Sequence, residues 1–288
     1  MSAPTVGLIA NTSKRGAPEL LPGVVGLLRE RGIETLLDAQ TAMLLGEEPG
    51  YLRHELARQC ELLLILGGDG TLLEAVRDVG DPTPAVFGIN LGSLGFLTSL
   101  GSAAWREAVD CIATRRYCIQ ERTRLNIELI TGGEVRSAGF ALNDAVMSRG
   151  ERSQLIKLDV AIDGAWLTEY NADGLVIATP TGSTAYALSA GGPVLTPDSG
   201  VFVIAPICPH VLTMRPVIVS DHSVIEIKGK HDAHDIFLTI DGQQPMSVST
   251  SETLRITKAE QHLRFATLPG TTFFEVLRAK LKWSGTAV

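Results

Sequence analysis

The run Leu62-Leu63-Leu64-Ile65-Leu66 passes directly into Gly67-Gly68-Asp69-Gly70-Thr71. An aliphatic run without polar alternation is a strand only if both of its faces are covered, as in a parallel sheet between helix layers. The glycines end that strand, and Leu72 to Val79 has the pattern of a short helix. The surrounding chain repeats the alternation. Val6 to Ala10 fits a buried strand, and Glu19 to Arg31 carries Leu20, Leu21, Val24, Leu27 and Leu28 at helical spacing until Gly32 stops it. Ile33 to Leu37, Tyr51 to Gln59 and Ala85 to Ile89 continue as strand, helix and strand. The order predicts an α/β N-terminal domain with a Rossmann-like, mostly parallel sheet.

Beyond about Arg116 the period changes from helical to strand. Leu125, Ile127 and Leu129 alternate with polar residues, as do Ile156, Leu158, Val160 and Ile162, and Asp163-Gly164 supplies a hairpin turn. Further short strands fit Leu175–Thr179, Val201–Ile204, Pro216–Val219, Val224–Ile227, Phe237–Ile240, Thr253–Ile256 and Leu263–Leu268. Such punctuation predicts an all-β, sandwich-like C-terminal domain. Thr271 to Trp283 then reads as a helix that returns to the first domain. The expected division is 1–120 with 270–288, and 121–269.

The formal net charge of −7 gives the chain no field that would attract nucleic acid or anionic lipid. An anionic ligand must therefore be held locally. No segment approaches the roughly 18 apolar residues of a membrane span, and Met1 to Ala10 lacks the pattern of a secretory signal. Cys60, Cys111, Cys118 and Cys208 form no Cys-x-x-Cys pair. These features point to a cytoplasmic protein, with neither nucleic acid nor membrane as partner.

The Gly67–Thr71 loop sits where open α/β sheets bind ligands, beyond the carboxyl end of a strand. Its glycines admit close backbone approach, and the helix start presents unpaired N–H groups to phosphate. Asp69 is out of place in a purely anion-binding loop. It makes sense if it removes a proton from an attacking hydroxyl or meets Mg²⁺; the plain alternative is a helix N-cap. No Walker-type loop and no Gly-x-Gly-x-x-Gly fingerprint occurs. Gly88 to Phe96 also follows a strand and could form the opposite lip of the same cleft.

Asn143-Asp144 pairs an amide with a carboxylate, a set that suits vicinal ribose hydroxyls but taken alone is more often a turn. Asp173 through Tyr186 runs from a strand into a loop dense in hydroxyls, where Ser183 or Thr184 could cap a helix and Tyr186 offers a stacking face. His231 to Asp235 reads as a solvated turn rather than a metal site, and Asp241-Gly242-Gln243 as a hairpin turn.

Taken in order, Gly67–Thr71, Gly88–Phe96, Asn143-Asp144, and Asp173 through Tyr186 with Ser189-Ala190-Gly191-Gly192-Pro193 resemble the motifs of bacterial-type NAD kinases. The ending Leu281-Lys282-Trp283-Ser284 is similar too. Gly-Gly-Asp-Gly-Thr alone is shared with diacylglycerol- and sphingosine-type lipid kinases; Thr179 through Tyr186 is far more specific. The resemblance implies NAD bound between an α/β and a β-sandwich domain. It also implies phosphoryl transfer from ATP or polyphosphate, with a divalent metal such as Mg²⁺, to the adenosine ribose 2′-hydroxyl, giving NADP. By motif position Asp69 is the proton acceptor with Gly70 beside it. Asn143, Asp144, Asn171, Asp173, Thr184, Ala185, Tyr186, Ser189 and Gln243 belong to the nucleotide site. Homodimers or tetramers are implied as well.

One departure stands out. Many members carry Glu where this chain has Asp144, which is shorter by one C–C bond, roughly 1.5 Å. Two rival readings remain at this point, a lipid kinase and a nucleotide-sensing protein without catalysis.

Overall fold

A computed structural model of the chain describes residues 4–151, 154–230 and 236–283. The His231–Asp235 turn and Ser284 of the ending motif lie outside the described residues. Two compact units divide the chain: Met1–Glu121 with Leu263–Val288, and Arg122–His262.

The chain opens with β1 (Thr5–Ala10), α1 (Gly16–Glu30), β2 (Glu34–Leu37), α2 (Ala39–Leu45) and α3 (Arg53–Gln59). Then come β3 (Leu62–Gly67), α4 (Asp69–Val79), β4 (Ala85–Asn90), a two-residue β5 (Leu100–Gly101), α5 (Trp105–Ala113) and β6 (Cys118–Arg122). β3 is buried at every position and pairs in parallel with β1 and β4, as its unbroken aliphatic run requires. Two helices escaped the periodicity. α2 is too short for an amphipathic signal; Asp38, accepting from Thr41 N at 3.0 Å, starts it, and Gly46 at φ +69° ends it. α5 buries Trp105, Ala108, Val109 and Ile112 on one face.

The inserted unit is built from β7 (Leu125–Thr131), β8 (Glu134–Ala141), β9 (Asp144–Arg149), β10 (Ile156–Ile162), β11 (Ala165–Ala172) and β12 (Gly174–Ala178). A 3₁₀ turn at Thr181–Thr184 and the short α6 (Tyr186–Ser189) follow. β13 (Val201–Ile207), β14 (Val217–Ser220), β15 (Ile225–Gly229), β16 (Ile236–Ile240), β17 (Met246–Val248) and β18 (Thr253–Lys258) complete it. Two six-stranded sheets result, ordered β11-β10-β15-β18-β7-β8 and β14-β13-β12-β9-β16-β17. One core holds both inner faces, with Leu125, Leu158 and Ile227 from the first and Met147, Ile177 and Phe202 from the second. The second sheet is covered outside as well: Val146, Val176 and Val203 pack with Ala187 of α6. That double burial is why β12 and β13 are continuously apolar while β10 alternates. The hairpin at Asp163-Gly164 forms as expected, with φ of +51° and +78°.

The last segment re-enters the first unit as β19 (Leu263–Thr267) and α7 (Phe273–Leu281). β19 lies beside β4, Phe265 opposite Val86, in a seven-stranded sheet ordered β2-β1-β3-β4-β19-β6 with β5 also on β4. In the sequence this strand was grouped with the β-rich region, because its pattern marks a strand without naming the partner. Among the described residues no helix is long and apolar enough to cross a membrane.

Candidate active site

In the first unit, Gly68 is the N-cap of α4 and Asp69 its first residue, so the N-cap reading of Asp69 fails. The Asp69 carboxylate reaches instead to the segment after β4. Oδ2 accepts from Phe96 N at 2.8 Å, while Oδ1 accepts from Leu97 N at 3.1 Å, Thr98 N at 2.8 Å and Thr98 Oγ at 2.8 Å. Gly95 is required by this arrangement, since a Cβ there would overlap Asp69 Oδ1. Gly67 answers to Thr71, whose side chain would stand 2.5 Å from a Cβ at 67.

The network extends further. Thr98 Oγ also accepts from Asn90 Nδ2 at 2.6 Å, and Asn90 Oδ1 accepts from Gly92 N at 2.6 Å. Thr98 and Asn90 are buried, so these polar groups are satisfied by one another rather than by water. The Gly67–Thr71 loop and the segment after β4 thus become two walls of one cavity of about 520 Å³. Asn11, Lys14, Glu74 and Lys280 complete the lining. Neither Asn11 nor Lys14 was singled out in the sequence.

A separate cavity of about 370 Å³ lies in the inserted unit, lined by Asn143, Asp144, Ala185, Tyr186, Asp241 and Gly242 among others. Backbone contacts bring these distant residues together. Thr179 donates to Leu142 O through Oγ at 2.5 Å and to Asn143 O through N at 2.9 Å, and Gly182 N donates to Thr179 Oγ at 3.1 Å. Gly182 passes so close to Asn143 O that a Cβ would overlap it. Ser183 is not a helix cap: its hydroxyl donates to Pro180 O at 2.7 Å and accepts from Leu195 N at 3.0 Å. Thr184 donates to Thr181 O and caps nothing.

Asp241 does form the hairpin turn, with φ +49°, and its carboxylate has a second task. It accepts from Asn143 N at 2.7 Å, Asp144 N at 3.0 Å and Leu142 N at 2.8 Å, fixing the corner that presents Asn143. Burial pushes the Asp241 carboxyl up, and these three donors counter the push. Asp144 is also pushed up, to about 7, first by burial and then by the neighbouring Asp241 charge, with the Tyr186 N–H partly offsetting both. Near neutral pH it is therefore partly a neutral acid, able to donate as well as accept.

The other residues expected at this site are placed differently. Asp173 is held by Arg149 Nε at 2.6 Å, and Asn171 sits opposite Lys157 in the β10–β11 pair. Ser189 closes α6, and Gln243 N donates to Ile240 O in the hairpin turn. None of these four, nor Thr184, lines the 370 Å³ cavity. Asp241 is the contributor that the sequence disguised, because Asp-Gly is first a turn signal.

Known proteins match this chain over both units. Residues 6–117 match the family model of the ATP-NAD kinase N-terminal domain, and residues 142–268 that of the C-terminal domain. The chain belongs to the NAD kinase family. The NAD kinase of Solibacter usitatus (strain Ellin6076) is 39% identical over 97% of each chain. That of Desulforamulus reducens is 37% identical over 96% of this chain and 97% of its own. Among solved structures, yeast NADH kinase complexed with NADH superposes with a TM-score of 0.89 at 26% identity, over 100% of this chain and 90% of that one. An NAD kinase from Archaeoglobus fulgidus in complex with ATP gives 0.78 at 24% identity, over 98% and 100%, a likeness of fold alone. The chain is thus an enzyme that transfers phosphate to NAD, and the lipid-kinase and non-catalytic readings are set aside.

Proposed function

We propose that this enzyme phosphorylates the 2′-hydroxyl of the adenosine ribose of NAD, using ATP or polyphosphate and a divalent cation such as Mg²⁺, with Asp69 as proton acceptor. The observation that carries the proposal is the fixed aim of Asp69. Three donors occupy Oδ1 and one occupies Oδ2, so Oδ2 keeps a lone pair for a hydroxyl proton in the lining of the 520 Å³ cavity. In the transfer the ribose oxygen attacks phosphorus, its proton passes to Oδ2, and the donor leaves with the electrons of the broken P–O bond. Catalysis would rest on alignment, because phosphoryl transfer asks for positioning and charge compensation rather than covalent help. Gly70 and the first N–H groups of α4 would meet the donor's phosphates.

The cavity of the inserted unit would take the dinucleotide, with Asn143 and Asp144 at ribose hydroxyls, Tyr186 against a heteroaromatic face and Ala185 beside it. Asp173, Asn171, Thr184, Ser189 and Gln243 join this set on the family resemblance. The yeast relative complexed with NADH supports a dinucleotide acceptor.

Asp69 and Glu74 are the carboxylates lining the first cavity, and among the described residues no group of three His, Cys, Asp or Glu could hold a metal ion. With both carboxylates already hydrogen-bonded or ion-paired, a Mg²⁺-like ion would arrive on the donor's phosphates and keep several waters. Bound there, the ion would screen phosphate charge. We further propose a cytoplasmic homodimer or tetramer; the four cysteines stand free, as a reducing compartment leaves them.

The test is one purified-enzyme assay with NAD, ATP and Mg²⁺, read by a dehydrogenase specific for NADP. NADP formation that stops with EDTA and resumes with excess Mg²⁺ is expected. Failure to form NADP overturns the reading, and replacement of ATP by polyphosphate assigns the donor.

A further inference from the structure

Lys14 stands in the turn between β1 and α1, and nothing in the sequence marks it. The turn is fixed on three sides. Asn11 N donates to Leu66 O at 2.8 Å, Asn11 Nδ2 donates to Thr71 Oγ at 3.1 Å, and Lys14 N donates back to Asn11 O at 3.1 Å. Ser13 closes it by donating to Asn11 Oδ1 through N at 3.2 Å and Oγ at 2.6 Å. Lys14 is therefore anchored to the end of β3 and to the first turn of α4, the two pieces of chain that form the glycine loop.

Its ammonium group lies over both glycine segments. A Cβ at Gly68 and a Cβ at Gly92 would each stand 3.4 Å from Lys14 Nζ. These glycines leave open the space in which a ligand could approach the lysine and the backbone together. The carboxylates of the same cavity are engaged elsewhere: Asp69 by its four donors, Glu74 by Arg53 Nη1 at 2.9 Å. Among the described residues no carboxylate stands within ion-pair distance of Lys14, which is half-buried. A half-buried ammonium facing a polar cavity, beside the open N-terminus of α4, is a site prepared for an anion.

We infer that Lys14 binds the donor's phosphoryl groups, bridging the Gly68 and Gly92 segments and supplying the positive charge that Asp69 removes from this cavity. The inference rests on reading the cavity as the donor's. A compact ammonium on a flexible stem can follow phosphate oxygens as charge moves during transfer, and the anchored turn keeps it within reach. Gly92 carries the consequence to Asp69, because its N–H holds Asn90, Asn90 holds Thr98 and Thr98 holds the Asp69 carboxylate.

The experiment compares Lys14→Met and Lys14→Arg with wild type, varying ATP and NAD separately. Loss of one charge-assisted contact lowers kcat/KM for ATP by about 10–100-fold in Lys14→Met, leaves KM for NAD within about twofold, and is partly restored in Lys14→Arg. A KM for NAD raised as much as that for ATP, or no loss of kcat/KM for ATP, overturns the inference. Amine acetylation of the wild type, with and without magnesium tripolyphosphate, gives a readout that needs no variant. Protection of Lys14 but not of Lys157 is expected. If tripolyphosphate binds, by calorimetry, and leaves Lys14 fully reactive, the inference fails while the donor cavity stands. If the wild type binds neither tripolyphosphate nor a non-hydrolysable ATP analogue, the reading of the cavity itself fails.

Discussion

The carboxylate of Asp69 occupies the space that a side chain at Gly95 would fill. Gly95 N in turn donates to Thr98 O at 3.2 Å, so the turn from 95 to 98 is wrapped around the carboxylate. Gly95→Ala must displace one or the other. The expected result is a fall in kcat of about 10²-fold or more, on the scale of a lost general base, with KM for NAD little changed. Steady-state kinetics on the folded variant measures it, and activity near wild type would show that Asp69 can work from another position.

Asp69→Asn removes the proton acceptor, and kcat should drop by about 10²–10⁴-fold. The structure adds a second effect. Both carboxylate oxygens face N–H donors, so an amide must turn its NH₂ toward either Phe96 N or the Leu97–Thr98 pair. A facing pair of donors costs about 1–3 kcal/mol, so a lower urea midpoint should accompany the lost turnover. Lost turnover with an unmoved midpoint would mean that the 96–98 donors do not hold this carboxylate in solution.

Tyr186 is 46% exposed, so its ring is not part of the core. Tyr186→Ala therefore leaves no large cavity, and the urea midpoint should stay nearly still. If the ring stacks on a base, NAD affinity weakens by about 1–3 kcal/mol, and Tyr186→Phe keeps most of it. Calorimetric titration of both variants separates the cases. Unaltered affinity in Tyr186→Ala takes the ring out of the dinucleotide site.

The buried Asp144 carboxyl titrates at about 7 in the fold and near 3.9 when unfolded. Between those values the folded state holds the proton that the unfolded state has released. Stability is thus free of the Asp144 penalty below about pH 4, falls as pH rises, and levels off above about pH 7. The raised Asp241 carboxyl acts in the same direction. Asp144→Asn should raise Tm at pH 8 and leave it unchanged near pH 4. A variant less stable at pH 8 than wild type would show that Asp144 is ionised and held there.

What the sequence revealed depended on whether a residue's task left a local mark. β3 with its glycine loop was legible because double burial writes an unbroken aliphatic run, and the Asp163-Gly164 hairpin because its φ values favour those residues. β19 was legible as a strand, yet its partner β4 is far away in the chain and no local period encodes that. Asn143, Asp144, Ala185 and Tyr186 came from motif order. Asp241 was legible as a turn but not as a support of the site, because a hairpin Asp and an Asp that receives three backbone N–H groups look alike in one dimension. Lys14 was silent for a similar reason: a lysine in a polar turn is ordinary until the glycines opposite it are seen.

The route of the chain also sets a timetable. β4 presents Val86 and Phe87 to β19, whose residues follow the whole inserted unit. On a ribosome adding roughly 5–20 residues per second, that insertion takes on the order of ten seconds. Throughout this interval Val86 and Phe87 have no strand beside them on that side, since β5 reaches only Ile89 and Asn90, and they form a template for any other strand that meets them. The inserted unit has all of its own strands before Leu263 is made and can close first. Its two neighbouring chain segments are then brought together from either side, so the part of the molecule translated first is the part finished last.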